Sequence, residues 1–195
     1  MDDWRDRTLG ADGAGALLAE ALTYAVGNVA RVTPDLLARP TPCRGWDLRM
    51  LLRHGCESLA ALAEGFASGN ICLAASDEGV DVAEPVGLFV ERARSLLGWR
   101  AGQSEWHAVA VGGRPLATGV VTAAGALEIA VHGWDIAQAS GSRLAIPAAL
   151  ARRLLEIAPL LVTAADRPPL FAAAVPVGPQ ASFSDRLTAF LGRPA

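Results

Sequence analysis

The chain has 195 residues, 52% hydrophobic and 19% charged, enough to bury roughly 70% of its unfolded surface as one domain over residues 1–195, which excludes a disordered chain. Its 17 basic and 20 acidic residues give a formal charge of -3 with no basic run, which excludes a nucleic-acid backbone as the natural partner. Every basic residue is Arg, and without a Lys the chain can form neither a pyridoxal-phosphate Schiff base nor a Walker A phosphate contact.

Met1 to Gly10 carries five charges and no apolar run, so no secretory signal pattern is present and a cytoplasmic location is expected. Cys43, Cys56 and Cys72 lack CxxC spacing, which argues against a disulfide framework and a cysteine-rich zinc site. The longest uncharged stretch, Pro168 to Ser184, is broken by Pro168, Pro169, Pro176 and Pro179, so no membrane-spanning helix is expected there.

In chain order, Leu17, Leu18, Ala21, Leu22, Ala25 and Val29 recur at helical spacing and predict a first helix over Gly13 to Val32, stopped by Pro34. Arg39 to Gly45 holds two prolines that push their predecessors into extended geometry. Asp47 reads as an N-cap for a second helix from Leu48 to about Ala67, with Leu48, Leu51, Leu52, Leu59 and Leu62 on one face. Gly69 to Gly79 reads as a polar loop. Val86, Phe89, Val90, Ala93, Leu96 and Leu97 mark a third helix ending near Trp99. Trp106 to Val111, followed by Gly112 and Gly113, predicts a short strand or an extended crossover. A fourth helix is expected from Ala117 to Ser140, stopped by Gly141, and a fifth from Pro147 to Leu161. A terminal helix, Ser182 to Leu191, has Ser182 as its cap. The sum is a mainly all-α protein, an antiparallel four-helix bundle with short extra helices and room for a small strand pair.

The chemistry concentrates in the fourth helix. Glu128 and His132 are four residues apart, about 40° around the axis, and Asp135 falls on the same stripe with Val121, Ala124, Gly125, Ile136 and Ala139. That composition predicts an inward face, where an ionised carboxylate needs a partner. His54 on the second helix sits at the margin of the leucine face, about 60° from Leu51. Two helices can thus bring His54, Glu128 and His132 to one point, a two-histidine, one-carboxylate set with an open position for a divalent metal. Spacing alone leaves the simpler reading open, a helix-stabilising pair of Glu128 with His132.

His107 has no partner at defined spacing, and Asp135 reads either as an acceptor that orients a ligand imidazole or as an ordinary helix-surface residue. Cys43, just before the second helix, reads as a packing residue or as a reactive or metal-facing thiol, whereas Cys56 lies roughly 160° from His54, which argues against a shared metal. Trp46 and Trp134 read as anchors for the loop and for the outer face of the fourth helix. Arg44, Arg49 and Arg53 lie close to the expected mouth, as solubilising residues or as anion contacts. The sequence contains no Gly-x-Ser-x-Gly elbow, dinucleotide fingerprint or P-loop.

Three elements together resemble one family: Thr41 to Leu48 running into Leu51-Leu52-Arg53-His54, Glu128 through Asp135, and Arg186-Leu187 with Leu191-Gly192-Arg193-Pro194. The chain resembles the DinB-like metal-binding proteins related to the N-terminal domain of mycothiol-dependent maleylpyruvate isomerase. The resemblance implies a DinB-like bundle with His54, Glu128 and His132 as ligands of one divalent metal, zinc first and nickel second. It also implies a low-molecular-weight thiol such as mycothiol and a small electrophilic substrate. The family's isomerase has a further C-terminal domain that contributes to its active site, and this sequence ends at Ala195, so isomerisation of maleylpyruvate itself is not the expected reaction. The expectation is a thiol-dependent transferase or isomerase, with a non-catalytic metal-containing binding or regulatory module as the alternative. The high apolar content further predicts a homodimer.

Overall fold

A computed structural model describes residues 10–72, 84–98, 106–167 and 171–193. Its elements are α1 (Ala11–Val29), a 3-10 turn (Pro34–Leu36), α2 (Leu48–Ser68), β1 (Asn70–Ile71), α3 (Pro85–Gly98), β2 (Ala108–Val111), β3 (Arg114–Ala117), α4 (Thr118–Ser140), α5 (Ala148–Leu161), a second 3-10 turn (Ala164–Asp166) and α6 (Phe183–Phe190). The protein is mainly all-α, as the periodicity predicts. In the bundle α1 packs on α4, α4 on α2, α2 on α3 and α3 back on α1. The six apolar positions predicted for α1 and the five for α2 are all buried in one core, to which α5 and α6 add Leu150, Leu154, Ile157 and Leu187.

Local chemistry sets the ends of the helices. Asp47 caps α2, its Oδ1 accepting from the Met50 amide at 2.8 Å. Gly69 and Gly141 end α2 and α4 in the left-handed region, at φ 72° and 83°. α1 stops at Val29, three residues before the expected Val32. Pro34 forces Thr33 into extended geometry, and the chain tightens through Arg31 N–Asn28 O and Val32 N–Val29 O bonds before it.

The expected polar loop after α2 begins instead with β1, which pairs in parallel with β2 (Asn70 with Ala110); the rest of that loop, 73–79, lies outside the described residues. The strand-or-crossover segment is a hairpin, β2 antiparallel to β3, turned at Gly112 and Gly113, both at positive φ. Leu97 of the predicted α3 stripe is exposed. The expected end of α3 at Trp99 falls outside the described residues.

α4 is the core helix. Among the described residues it is the one helix long and apolar enough to cross a membrane, and it is mostly buried inside the bundle. Close approach needs small residues: a Cβ on Gly133 would meet Ala25 of α1 at 3.2 Å, and one on Gly125 would meet Leu62 of α2 at 2.7 Å. Trp134 is buried rather than on an outer face, because α4 has protein on nearly every side.

The inward face expected for Glu128 and His132 needs correction as well. Between Thr118 and Ala137 the residues not fully buried are Val120, Ala124, Glu128 and His132, each four residues from the last. Four-residue steps advance only about 40° around the axis per step, so these residues form one continuous strip. The candidate ligands therefore lie on the line along which the core helix meets solvent.

Candidate metal centre

Two helices and one loop build the site. α2 contributes His54, two turns past its Asp47 cap, and α4 contributes Glu128 and His132. His54 Nε2 lies 2.7 Å from Glu128 Oε1, and His132 Nε2 lies 3.2 Å from the same oxygen. The two imidazoles meet edge to face with centroids 5.1 Å apart. Ser58, one turn after His54, places its hydroxyl 3.5 Å from Glu128 Oε1. All three residues singled out in the sequence are thus brought together.

The loop before α2 covers this cluster. Thr41 closes it: its Oγ1 donates to the Trp46 carbonyl at 2.9 Å and accepts from the Cys43 amide at 3.2 Å, while the Thr41 amide bonds to the Trp46 carbonyl at 3.0 Å. Gly45, at φ 80°, permits the turn. Trp46 is held against both rings, edge-on to His54 at 4.9 Å and stacked with His132 at 6.4 Å between centroids.

Behind His132 lies a second constellation. His132 Nδ1 bonds to Asp135 Oδ2 at 3.0 Å, and the fully buried Asp135 carboxylate also receives Arg193 Nε at 3.0 Å on Oδ1 and Arg193 Nη2 at 2.7 Å on Oδ2. The Cys43 thiol donates to Asp135 Oδ2 at 3.3 Å. Cys43, His132 and Asp135 have donor atoms close enough to one another for a cation, but the guanidinium of Arg193 already neutralises this carboxylate and lies 3.8 Å from Cys43 Sγ. The back of His132 is therefore an ion pair, and the front is the cluster that suits a metal.

The charges follow from these contacts. Burial pushes the Glu128 carboxyl up, but the imidazoles of His132 and His54 overcome it and hold it well below the usual carboxylate range. Burial pulls the His132 imidazolium down, and Glu128, Asp135 and Cys43 together lift it well above the ordinary value. Burial likewise acts against ionisation of Asp135, and His132 and Arg193 outweigh it, so that carboxyl stays low.

The residues present fit a divalent ion. Donors at ~2.0–2.2 Å from a common metal lie roughly 2.8–3.5 Å apart, and the two separations to Glu128 Oε1 fall at or next to that range. The Asp135 contact has the form expected of an acceptor that fixes a ligand imidazole by its other nitrogen.

Among the described residues, neither group of side chains able to hold a cation includes His107 or Cys56. His107 is exposed, as are Arg44 and Arg49, while Arg53 is half-buried. Cys56 is buried on another face, its thiol directed at the Pro85 carbonyl and pushed up to about 11 by burial. Arg193 and the two-ring contact of Trp46 carried no spacing signal. Their one trace in the sequence was membership of the motifs that carry the resemblance.

Fold and site together define a helical-bundle protein with a two-imidazole, one-carboxylate cluster on the solvent-reached strip of its core helix. The sequence model of the mycothiol maleylpyruvate isomerase N-terminal domain family matches residues 18–137, and the chain belongs to that family. The matched span runs from α1 through most of α4 and includes Cys43, Trp46, His54, Glu128, His132 and Asp135. No curated protein and no solved structure matches the chain at a significant level.

Proposed function

We propose that the protein binds one divalent metal, zinc first and nickel second, through His54 Nε2, Glu128 and His132 Nε2, and uses it in a thiol-dependent transfer or isomerisation of a small electrophile. One observation carries the reading: three donor atoms from two helices converge where the core helix meets solvent. Family membership supplies the thiol, a mycothiol-type cofactor, as the first one to try.

In this reading the residues divide the work. His54 and Glu128 bind from facing helices, and His132 completes the set with its Nδ1 proton committed to Asp135, which leaves Nε2 as the coordinating atom. Trp46 shields the imidazoles and excludes water from that side. The strip through Ala124 and Val120 gives the small substrate its approach. A divalent ion held by His54, Glu128 and His132 would supply Lewis acidity that favours the nucleophilic form of a thiol or water at neutral pH.

The test is elemental analysis of untagged protein purified without chelator, beside His54→Ala and Glu128→Ala. About one zinc or nickel ion per chain, lost from both variants, is the expected result. No metal in the native protein after reconstitution, or unchanged metal in both variants, overturns the reading. Stoichiometric metal without thiol-dependent turnover of any electrophile assigns the site to a non-catalytic binding or regulatory module.

A further inference from the structure

The family match ends at residue 137, yet the contacts that fix His132 from behind are completed by a residue 58 positions after Asp135. Arg193 follows α6, and its direction is set by the backbone. The Arg193 amide bonds to the Thr188 carbonyl and the Gly192 amide to the Ala189 carbonyl, both at 3.0 Å, with Gly192 at φ 80°: a Schellman motif. Only glycine fits there, because a Cβ on Gly192 would lie 2.7 Å from the Ala172 carbonyl oxygen.

α6 itself is pinned at both ends. Ser184 Oγ accepts from the Ile146 amide at 3.1 Å, and Arg167 bonds to the Phe190 and Ala172 carbonyls at 2.7 Å each. From that frame the Arg193 guanidinium reaches a fully buried carboxylate and grips it by both oxygens.

We propose that Arg193 is a positioning residue of the metal centre: by holding Asp135 in one rotamer, it holds His132 Nδ1 and so aims His132 Nε2, making the C-terminal segment part of the site. The proposal rests on the metal reading above. Its physical basis is that Asp135 Oδ2 accepts from His132 and from Arg193 at once, so the carboxylate cannot rotate towards one without leaving the other. Without the guanidinium, a carboxylate with no access to water loses most of its compensation and must turn to find other donors. His132 then loses its anchor. A contact of this kind behind a ligand histidine is worth roughly 10–100-fold in metal affinity.

Cobalt(II) alone is the probe, titrated into metal-free protein and read by its d–d absorption, with zinc competition for affinity. Wild type is expected to bind about one cobalt ion per chain, and Arg193→Gln to bind it about 10–100-fold more weakly with an altered d–d spectrum. In an Asp135→Asn background, Arg193→Gln should add no further loss, since its effect passes through Asp135. Arg186→Ala is the control for α6 stability: among the described residues its guanidinium bonds to the Ala181 and Pro179 carbonyls and not to the cluster, so it should lower Tm without changing the cobalt spectrum.

Wild-type affinity and spectrum in Arg193→Gln, or a full further loss in the Asp135→Asn background, overturns the proposal. Should Arg193→Gln fail to fold by circular dichroism, Arg193→Lys decides. Its single ammonium cannot grip both oxygens, so weaker cobalt binding is expected, and wild-type binding overturns the proposal. Failure of wild type to bind cobalt is a different result, which removes the metal reading and this inference with it.

Discussion

The two imidazoles of the centre stand in unlike surroundings. The His132 side chain is 14% exposed and bonded at both nitrogens, to Glu128 on one side and to the Asp135–Arg193 pair on the other. The His54 side chain is 34% exposed, and among the described residues it hydrogen-bonds only through Nε2, with Trp46 against its ring. One candidate ligand is tied at both ring nitrogens, while the other is tied at one. The comparison teaches that the rigidity of such a centre comes from what stands behind a ligand: α2 and α4 are equally regular helices, and only α4 has a buried carboxylate one turn on.

The largest effect expected from this asymmetry is on metal binding. His132→Ala should abolish cobalt binding in a titration, whereas His54→Ala, too weak to keep its metal through purification, should retain a titratable site weakened by roughly 100-fold or more, and the exposed His107→Ala should bind as wild type. Equal residual affinity in the His54 and His132 variants would break the comparison.

The next effect is on stability. Asp135→Ala strands a buried guanidinium and should cost about 3–5 kcal/mol, a fall of about 6–20 °C in Tm by calorimetry. On the other half, Ser58→Ala removes only a donor at 3.5 Å and should cost no more than about 0.5 kcal/mol. A Tm for Asp135→Ala within about 2 °C of wild type would show that Arg193 finds solvent easily and that the buried side is not stiff.

The smallest effect, and the sharpest in sign, is the pH dependence. In the metal-free protein the folded pKa of His132 is raised, so its contribution to stability is fully present below the ordinary imidazole value of 6.5 and is lost as pH rises through the raised one. Glu128 acts at the other end: its folded pKa is depressed, so its contribution is present above the ordinary value of 4.5 and is lost on acidification. The zinc-loaded protein should reverse the trend at neutral pH, because a proton on His132 competes with the ion and affinity rises with pH. Tm measured from pH 6 to 9, with and without zinc, should therefore slope in opposite directions. Parallel slopes would mean that the ion and this proton do not share a nitrogen.

Much of this was legible in the sequence, for identifiable reasons. The apolar positions of α1 and α2, the Asp47 and Ser182 caps and the Gly141 stop are local signals, set by period and by end chemistry, and they hold in the structure. The juxtaposition of Glu128 with His132 is also local, and their meeting with His54 needed only two helix faces to be read together. The accessible strip was misread as buried because α4 has apolar or small residues on every side, so composition alone could not tell its wet line from its dry ones. Ala124 looks inward in the sequence and is exposed. Arg193 escaped because its partner is 58 residues away, and Trp46 because the loop folds back on α2 through Thr41. The β1–β2 pairing was missed because a two-residue strand has no period.

Trp46 has one more consequence, and it is optical. Its indole is in ring contact with both imidazoles of the cluster, and a protonated imidazole quenches indole emission by accepting charge from the excited ring. On the metal reading, zinc taking the place of a proton on His132 would remove that quencher, while cobalt(II) would add a paramagnetic one. Trp46 emission, isolated from that of the other four tryptophans by substitution, would then report the ion, with a change whose sign separates zinc from cobalt.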